Sequence, residues 1–381
     1  MTPNIQFLIN CGKSEPTAAN IQQICAHASQ LDSSQLSGLV TLAHAHGILP
    51  LVYHALQSHA VGLISEKYLA EIKRNNMSIV AKNMHMAAEL TRLLRLLNKN
   101  GIQALAFKGP ALSQFAYEDI TLREYCDLDI LIKRQDARKA IALLIEDNYI
   151  PEIILAEDTS DTFFSRVNVI GLGKSIRIEI HWELLSKNYA IDWQEDALWE
   201  VHDNTTIDGV VVPMPAYNTH LLYLCAHGAK HLFERLEWVC DIDRFIRVKP
   251  DLDWQSLFKD AQAQGIERIL MLGLYLSHSL LALPLPEKIK TKALNDSTVP
   301  ELGQRIIEIN FSTADRQGRY YGTFGILWRM RENLSDRLSF AYRALFAPKL
   351  GDFHYVELPS YLLFLYPIIR PFRLLMKYFH R

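Results

Sequence analysis

The sequence predicts an α+β protein in which an α/β core lies between two helical units. Three observations predict this order. Apolar residues recur at three- and four-residue steps up to residue 100, strand-like and helical segments alternate over 101–215, and helical periodicity returns over 216–381. Because 381 residues exceed what one hydrophobic core usually holds, we expect a helical N-terminal unit at 1–100, the core at 101–215 and a helical C-terminal domain at 216–381.

The first half of the core follows directly from turn signals and apolar runs. The N-terminal helices are expected to end at the Asn-Lys-Asn-Gly run of 98–101, since Asn and Gly suit the left-handed residue that follows a helix. A strand at 102–107 comes next, then a short helix from 110 to about 117. A second strand is predicted at 127–132, where the sequence is DLDILI.

The second half of the core is predicted from a capping residue and from alternation. Asp136 can cap a helix that runs to about residue 147. A strand with strict alternation follows in RIEIHWELL, and it places three polar residues on one face: Arg177, Glu179 and His181. VVVPMP at 210–215 predicts a further strand, after which a helix starts at Tyr217.

The composition is that of a folded protein without a strong overall charge. Apolar residues make up 49% of the chain and charged residues 22%, and 40 Lys and Arg stand against 42 Asp and Glu for a net charge of −2. Such a chain has no global attraction for a nucleic acid backbone. Nucleic acid is therefore not an expected partner.

Cysteine usage and apolar runs indicate the location. The five cysteines are odd in number and form no C-x-x-C pair, which favours a reducing cytoplasm. No apolar run reaches the ~18 residues of a membrane span, and no basic region precedes an apolar stretch at the N-terminus. The tail after residue 357 is basic and aromatic. Packing against the chain's own helices is favoured for it, and peripheral contact with an anionic membrane surface stays open.

The strongest chemical signal is the pair of acids in the strand at 127–132. Asp127 and Asp129 lie two residues apart, so both side chains lie on one face, ~7 Å apart along the strand. Carboxylates in this arrangement can share two divalent cations, which stabilise the attacking and leaving oxygens in phosphoryl transfer. A solvated strand edge would show the same pair.

Two neighbouring features strengthen the metal interpretation. Lys108 and Gly109 stand where a strand runs into a helix, so backbone N–H groups and an ammonium can hold a phosphate there; an ordinary turn with Pro110 at the first helical position is the alternative. Glu179 can complete a three-carboxylate cluster with the Asp pair, and one of the three could then act as a base.

A helix after residue 220 carries a further polar stripe at three- and four-residue steps: His227, Lys230, His231, Arg235, Trp238 and Asp241. Lys230 and Arg235 are predicted to reach a triphosphate or an acceptor. A metal bound by the two histidines is disfavoured because no Glu follows the first of them. A partly solvated helix face is the alternative.

Two segments together resemble an uncharacterised nucleotidyltransferase family of the DNA polymerase β-like superfamily. They are FKGPALSQFAYEDITLREYCDLDILI and RIEIHWELL, which show the family's Lys-Gly turn, Tyr, Arg, D-x-D strand and later acid-x-His-Trp strand. The similarity extends to HGAKHLFERLEWVCDID, and so covers roughly residues 30–250.

The resemblance implies a polymerase β-like core, a small mixed sheet with flanking helices. It implies an enzyme that binds Mg²⁺ or Mn²⁺ and transfers a nucleoside monophosphate from an NTP such as ATP to an acceptor, with release of pyrophosphate. The acceptor stays open between a small molecule, a peptide and a protein. The implied metal ligands and catalytic acids are Asp127, Asp129 and Glu179. The implied nucleotide contacts are Lys108, Gly109 and Arg123.

The chain departs from the superfamily pattern in three places. Pro110 follows Gly109 where Gly or Ser is usual, which removes an N–H donor and a hydroxyl. The interval to Asp127 is longer than usual, and the third acid is Glu179 instead of Asp. Two rivals stay open: a non-catalytic nucleotide-binding or scaffold protein, and a D-x-D glycosyltransferase, which would need several parallel strands before the motif.

Overall fold

The N-terminal unit is helical. The structure, a computed structural model, describes residues 1–152, 166–171, 176–193, 195–200, 202–311, 323–356 and 358–379. Five helices precede the first strand: α1 Pro3–Gly12, α2 Ala18–Ser29, α3 Ser33–Ala45, α4 Leu49–His59 and α5 Glu66–Lys99. The last of them ends as predicted, because Gly101 takes the left-handed conformation with φ +71°.

The core contains strands and helices in alternation. The strands are β1 Ala104–Ala106, β2 Asp127–Ile132, β3 Tyr149–Pro151, β4 Arg166–Gly171, β5 Arg177–His181, β6 His202–Ile207 and β7 Val210–Pro215. The helices between them are α6 Gly109–Tyr117, α7 Ala137–Glu146 and α8 Glu195–Glu200, with 3₁₀ turns at Arg134–Asp136 and Lys187–Tyr189. The predicted strands at 127–132 and 210–215 are confirmed with the same bounds. Strands β3, β4 and β6 were not predicted.

The five-stranded sheet has the order β1-β2-β5-β4-β3. Strand β2 pairs antiparallel with β1 and parallel with β5, while β4 pairs antiparallel with both β5 and β3. The sheet is therefore mixed, as expected. Strands β6 and β7 form a separate hairpin, closed by Asp208 and Gly209, which both have positive φ as a two-residue hairpin turn requires.

Helices dominate after the hairpin. They are α9 Tyr217–Lys230, α10 Leu236–Arg247, α11 Trp254–Ala263, α12 Glu267–Leu281, α13 Glu287–Asn295, α14 Thr298–Phe311, α15 Thr323–Arg329, α16 Leu334–Phe346, α17 Leu350–Tyr355 and α18 Tyr366–Phe379. A 3₁₀ helix spans Ser360–Leu365. Within the described ranges, no helix has the length and the apolar content needed to cross a membrane.

The prediction of a single helical stripe after residue 220 was wrong, because the helix is interrupted between Lys230 and Leu236. Leu232 and Phe233 take left-handed conformations there, with φ +52° and +48°. The Phe233 ring fills the space beside Gly228, where a Cβ atom would lie 2.3 Å from the ring. The helix therefore stops so that Phe233 can fold back onto it, and the polar residues belong to two helices.

The described residues form two hydrophobic clusters. One joins the N-terminal helices α1–α4 to helices α9–α14, with Leu8 and Leu221 among its members. The other packs the second half of α5, including Leu93, against the strands of the mixed sheet. The N-terminal helices therefore share a core with the helices that follow the sheet, and the predicted division at residues 100 and 215 stays a prediction.

Candidate metal and nucleotide site

The site begins with a pairing of two acids on neighbouring strands. In the parallel register of β2 and β5, Asp129 stands opposite Glu179 and Asp127 stands opposite Arg177. Side chains at matched positions of a parallel pair point to the same face, so the two carboxylates meet. Both are buried. The predicted convergence of acids from two strands is thus present for Asp129 and Glu179.

His181 lies between these two carboxylates. Its Nε2 atom is 3.2 Å from Asp129 Oδ1 and 3.2 Å from Glu179 Oε2. The ring packs edge-on against Phe107, with ring centres 5.0 Å apart. Among the described residues, Asp129, Glu179 and His181 bring ligand atoms within 4.8 Å of one another, and all three are buried. They form a compact set of two oxygen donors and one nitrogen donor.

Lys108, in the turn before α6, contacts Asp129, one of the three residues just described. We call Asp129, Glu179, His181 and Lys108 the inner cluster. Its Nζ atom is 2.7 Å from Asp129 Oδ1, so the predicted Lys-Gly turn does face the acids. Gly109 makes this approach possible: its φ is +55°, and a Cβ atom there would lie 3.2 Å from the backbone oxygen of Asp127. Any larger residue would press on the start of β2. The turn and the acid strand are thus held in direct contact.

The pKa shifts follow from burial and from these contacts. Burial acts to raise the pKa of Asp129, but the Lys108 ammonium and the His181 ring outweigh it and hold that pKa below its usual value. The pKa of Glu179 is also lowered, because His181 and Arg166 outweigh its burial. For Lys108, burial is outweighed by Asp129, and its pKa is raised. Asp129, Glu179 and Lys108 are therefore ionised at neutral pH.

Asp127 lies two residues before Asp129 on the same face of β2, and its predicted role as a metal ligand stays a prediction. It is half-buried at the start of β2, and its carboxylate is not one of the three groups gathered within 4.8 Å. Burial raises the pKa of Asp127, and the nearby charge of Asp129 raises it further, with Lys108 opposing. It therefore lies within electrostatic range of the cluster, at its solvent side.

Further cations surround the acids. Arg166 on β4 pairs with Glu179, with 2.7 Å between Nη1 and Oε2. The ammonium groups of Lys230 and Lys349 lie 5.3 and 5.7 Å from the centre of the Tyr189 ring. Burial lowers the pKa of Lys230 to about 8, and the charges of Arg166, Lys108 and Lys349 add to the effect. Such a set of like charges favours an anionic ligand.

Arg123 and Arg235, which were predicted to contact the nucleotide, both form ion pairs with acids outside the inner cluster. The buried Arg123 guanidinium binds Asp241 at 2.8 Å and Glu237 at 2.7 Å, and Tyr117 donates a hydrogen bond to the same Asp241 carboxylate at 2.8 Å. Arg235 also pairs with Glu237, at 2.7 Å. The network joins the loop before β2 to the start of α10. Neither guanidinium contacts the acid cluster, so their nucleotide contacts stay predictions.

His227 in α9 and His231, the residue that follows α9, form an aromatic cluster. The rings of His227 and His231 lie 5.1 Å apart, and both contact Trp238. Burial lowers the pKa of His231 to about 4, with Lys230 adding to the shift, and burial also lowers the pKa of His227. Both rings are therefore neutral at pH 7, and they pack against each other and against Trp238, close to Lys230.

The inner cluster fits a divalent cation by its donor set. Asp129 Oδ2 is buried and has no hydrogen-bond partner among the described residues. A buried carboxylate oxygen without a hydrogen-bond partner normally lowers the stability of the fold. A hard cation bound to this oxygen would remove that cost. Glu179 and His181 lie at the distances described above. The residues present thus suit Mg²⁺ or Mn²⁺, and the imidazole nitrogen favours Mn²⁺ of the two.

This fold and site define an α+β protein with a buried candidate metal centre ringed by cations. The chain belongs to an uncharacterised nucleotidyltransferase family, whose model matches residues 32–282. That match confirms the resemblance drawn from the sequence motifs. The matched segment contains the whole acid cluster and Lys230, but not Lys349. No curated protein matches the chain.

Sequence reasoning missed three residues near the acids. His181 shares a face with Glu179 by simple alternation and could have been added to the ligand set on that ground. Arg166 lies on β4, a strand that was not predicted although apolar residues alternate in RVNVIG. Lys349 is 170 residues from Glu179 in the chain, and no local pattern connects it with the site.

Proposed function

We propose that this protein is a divalent-metal-dependent nucleotidyltransferase, which transfers a nucleoside monophosphate from an NTP to an acceptor and releases pyrophosphate. The observation that carries the proposal is the meeting of Asp129, Glu179 and His181 beside Lys108. Acids that hold cations next to a phosphate-binding lysine are what transfer at a phosphorus atom requires. The family name supports the same reaction class.

The proposed roles follow from position. Asp129 and Glu179 would hold the cation with His181, and Asp127, nearer to solvent, would provide a further carboxylate toward the nucleotide. A divalent cation at this site would neutralise charge on the phosphate oxygens and orient them. The acceptor oxygen forms a bond to the α-phosphorus while the bond from that phosphorus to the bridging oxygen breaks. The acceptor's proton passes to one of the three carboxylates, and pyrophosphate leaves.

The phosphates are proposed to bind on the cationic side of the acids. Lys108 is adjacent to Asp129, and the turn that carries it opens α6, whose first N–H groups can hold an anion. Lys230 and Lys349 flank the Tyr189 ring. Together these residues can neutralise much of a triphosphate's charge in a partly buried setting, where charge pairs are worth more than in water.

The sheet supports a polymerase β-like core, which we propose as the specific fold. A D-x-D strand lies between an antiparallel neighbour, β1, and a parallel neighbour, β5, which carries the third acid. The phosphate turn directly follows β1. A glycosyltransferase fold is less consistent with this structure, because the described residues before Ala104 are helical.

The test is nucleotidyl transfer by the purified chain. We would incubate it with each α-labelled NTP, Mg²⁺ or Mn²⁺ and a cell extract, beside the double variant Asp127→Asn/Asp129→Asn and the control Asp251→Asn, which changes an exposed acid far along the chain. The expected result is label in an acceptor with wild type and control only. Label transfer that survives in the double variant would refute the assigned site, and NTP binding without any transfer would indicate a scaffold.

A further inference from the structure

The C-terminal helices expose an unusually apolar surface. Exposed apolar side chains recur at three- and four-residue steps on α16 and from the 3₁₀ turn into α18. This C-terminal apolar surface consists of Leu334, Leu338, Tyr342, Leu345, Tyr361, Phe364, Ile368, Phe372, Leu375 and Met376, each between 43% and 75% exposed. Helices α16 and α18 pack against each other. Large apolar patches of this kind normally mark a surface that something covers.

A buried ion pair fixes the direction in which this surface faces. Arg370 is only 3% exposed. Its guanidinium pairs with Asp352 at 2.8 Å and donates a hydrogen bond to the backbone oxygen of Ala344 at 2.9 Å. Helix α18 thus turns its arginine inward and its apolar residues outward, the reverse of an ordinary surface helix. Breaking such a buried pair is costly, so the helix cannot simply rotate to hide its apolar face.

The charge of the same segment indicates what covers it. Residues 323–381 contain nine Lys and Arg against four Asp and Glu, a net charge of +5 in a chain whose total is −2. A surface of anionic lipid attracts a segment with this net positive charge. A second copy of the chain would instead bring two positive segments together, which is unfavourable.

Hydrogen bonds and an ion pair fix the helices of the C-terminal apolar surface to the rest of the protein. Asn188 donates hydrogen bonds to the backbone oxygens of Ala347 at 2.7 Å and Arg343 at 3.2 Å. The Arg343 side chain pairs with Asp192. Helix α16 is thus held on the segment that follows β5, the strand of Glu179. A surface that binds α16 and α18 would therefore hold the whole chain and not a loose tail.

We propose that the C-terminal apolar surface binds the face of an anionic lipid bilayer, with α16 and α18 lying in the interface. Apolar side chains would enter the boundary between headgroups and acyl chains, to a depth of ~5–10 Å, and the net positive charge of the segment would favour anionic headgroups. The aromatic members, Tyr342, Tyr361, Phe364 and Phe372, suit this boundary. This proposal is independent of nucleotidyl transfer.

The test is sedimentation of the full chain with lipid vesicles. Vesicles of phosphatidylcholine with phosphatidylserine would be compared with phosphatidylcholine alone, at low and at high salt. We expect binding to the anionic vesicles that weakens with salt, since the electrostatic part is screened. The double variant Leu338→Glu/Phe372→Glu should bind at least ~10-fold more weakly, because two apolar contacts are replaced by repelled charges.

A matched control makes the result specific. Leu294→Glu changes a residue that is 59% exposed on α13, compared with 55% for Leu338 and 65% for Phe372, and it should bind vesicles as wild type does. Circular dichroism would show that all variants fold. The proposal is overturned if wild type ignores anionic vesicles, if the double variant binds them equally well, or if light scattering shows a wild-type dimer that the double variant dissociates.

Discussion

Asp129 lies directly opposite Glu179 in the parallel pairing of β2 with β5, and His181 lies 3.2 Å from each carboxylate. This register alone brings acids separated by fifty residues of chain to one point. Both acids stand on interior strands of the sheet, since β2 lies between β1 and β5, and β5 lies between β2 and β4.

The first prediction concerns Asp129. Asn at this position keeps the shape but removes the charge that pairs with Lys108 and would hold the cation. We expect Asp129→Asn to lower the rate of nucleotidyl transfer at least ~100-fold, because charge stabilisation at the reacting phosphorus is lost. The control Asp251→Asn should keep its activity. Calorimetry with Mn²⁺ would separately show whether the cation itself is lost.

The second prediction concerns the nitrogen ligand. If His181 binds the cation, Mn²⁺ bound to the protein should show magnetic coupling to a ¹⁴N nucleus in pulsed electron paramagnetic resonance. That coupling should vanish in His181→Gln. The same variant should weaken Mn²⁺ binding more than Mg²⁺ binding, because Mg²⁺ prefers oxygen ligands. Equal coupling in wild type and variant would assign the nitrogen to another residue.

The third prediction separates backbone strain from site geometry. Gly109 and Gly101 both have positive φ, but only Gly109 would place a Cβ against Asp127. We expect Gly109→Ala and Gly101→Ala each to lower the free energy of unfolding by about 1–2 kcal/mol, the cost of a left-handed residue. Only Gly109→Ala should also weaken NTP binding. Equal NTP affinity in the two variants would show that the turn does not hold the phosphate.

The fourth prediction concerns pH and NTP affinity. Because the pKa of Lys230 is lowered to about 8, this lysine loses its charge in the free protein as pH rises from 7 to 9. NTP affinity should therefore fall over that range. Lys230→Arg should flatten this pH profile of NTP affinity, since Arg stays charged.

A related prediction concerns Lys349. At pH 7, Lys349→Gln should weaken NTP binding ~3–10-fold, as expected for one exposed phosphate contact. The control Lys288→Gln, which changes an exposed lysine, should leave NTP binding unchanged.

The fifth prediction concerns the buried network on α10. Burial raises the pKa of Glu237 from 4.5 to about 7, with Asp241 adding to the rise and Arg123 and Arg235 opposing it. Between those values the folded protein holds more protons than the unfolded chain, so the stabilisation from this group is lost as pH rises toward 7. The melting temperature of wild type minus that of Glu237→Gln should therefore fall from pH 5 to pH 7.5. A difference that is constant or grows with pH would contradict the assignment.

Local patterns account for much of the fold. The strand at 127–132 was predicted with its observed bounds because DLDILI, apolar apart from its two acids, is followed directly by the polar run KRQD. The helix break after Lys230 could not be predicted in this way. Leu232 and Phe233 adopt left-handed conformations without the Gly or Asn that usually signals them, so tertiary packing of Phe233 against Gly228 overrides the local preference.

The site was predictable in its acids but not in its neighbours. Asp129 and Glu179 carry a chemical signal on alternating strands, and their residue types alone suggest a cation. Arg166 and Lys349 reach the site only through the pairing of β4 and the docking of the C-terminal helices. Asp127 lies opposite Arg177, on the same face of β2 as Asp129, and its role as a metal ligand stays a prediction. Such non-local pairings are set by the whole fold.

The most direct measurement compares the position of the label in the NTP. When the label is in the α-phosphate, the acceptor should become labelled. When the label is in the γ-phosphate, it should appear in the released pyrophosphate. Both signals should require Mg²⁺ or Mn²⁺ and should disappear in Asp129→Asn. An acceptor that carries the γ-label, or transfer that Asp129→Asn leaves intact, would contradict a nucleotidyltransferase site built on Asp129 and Glu179.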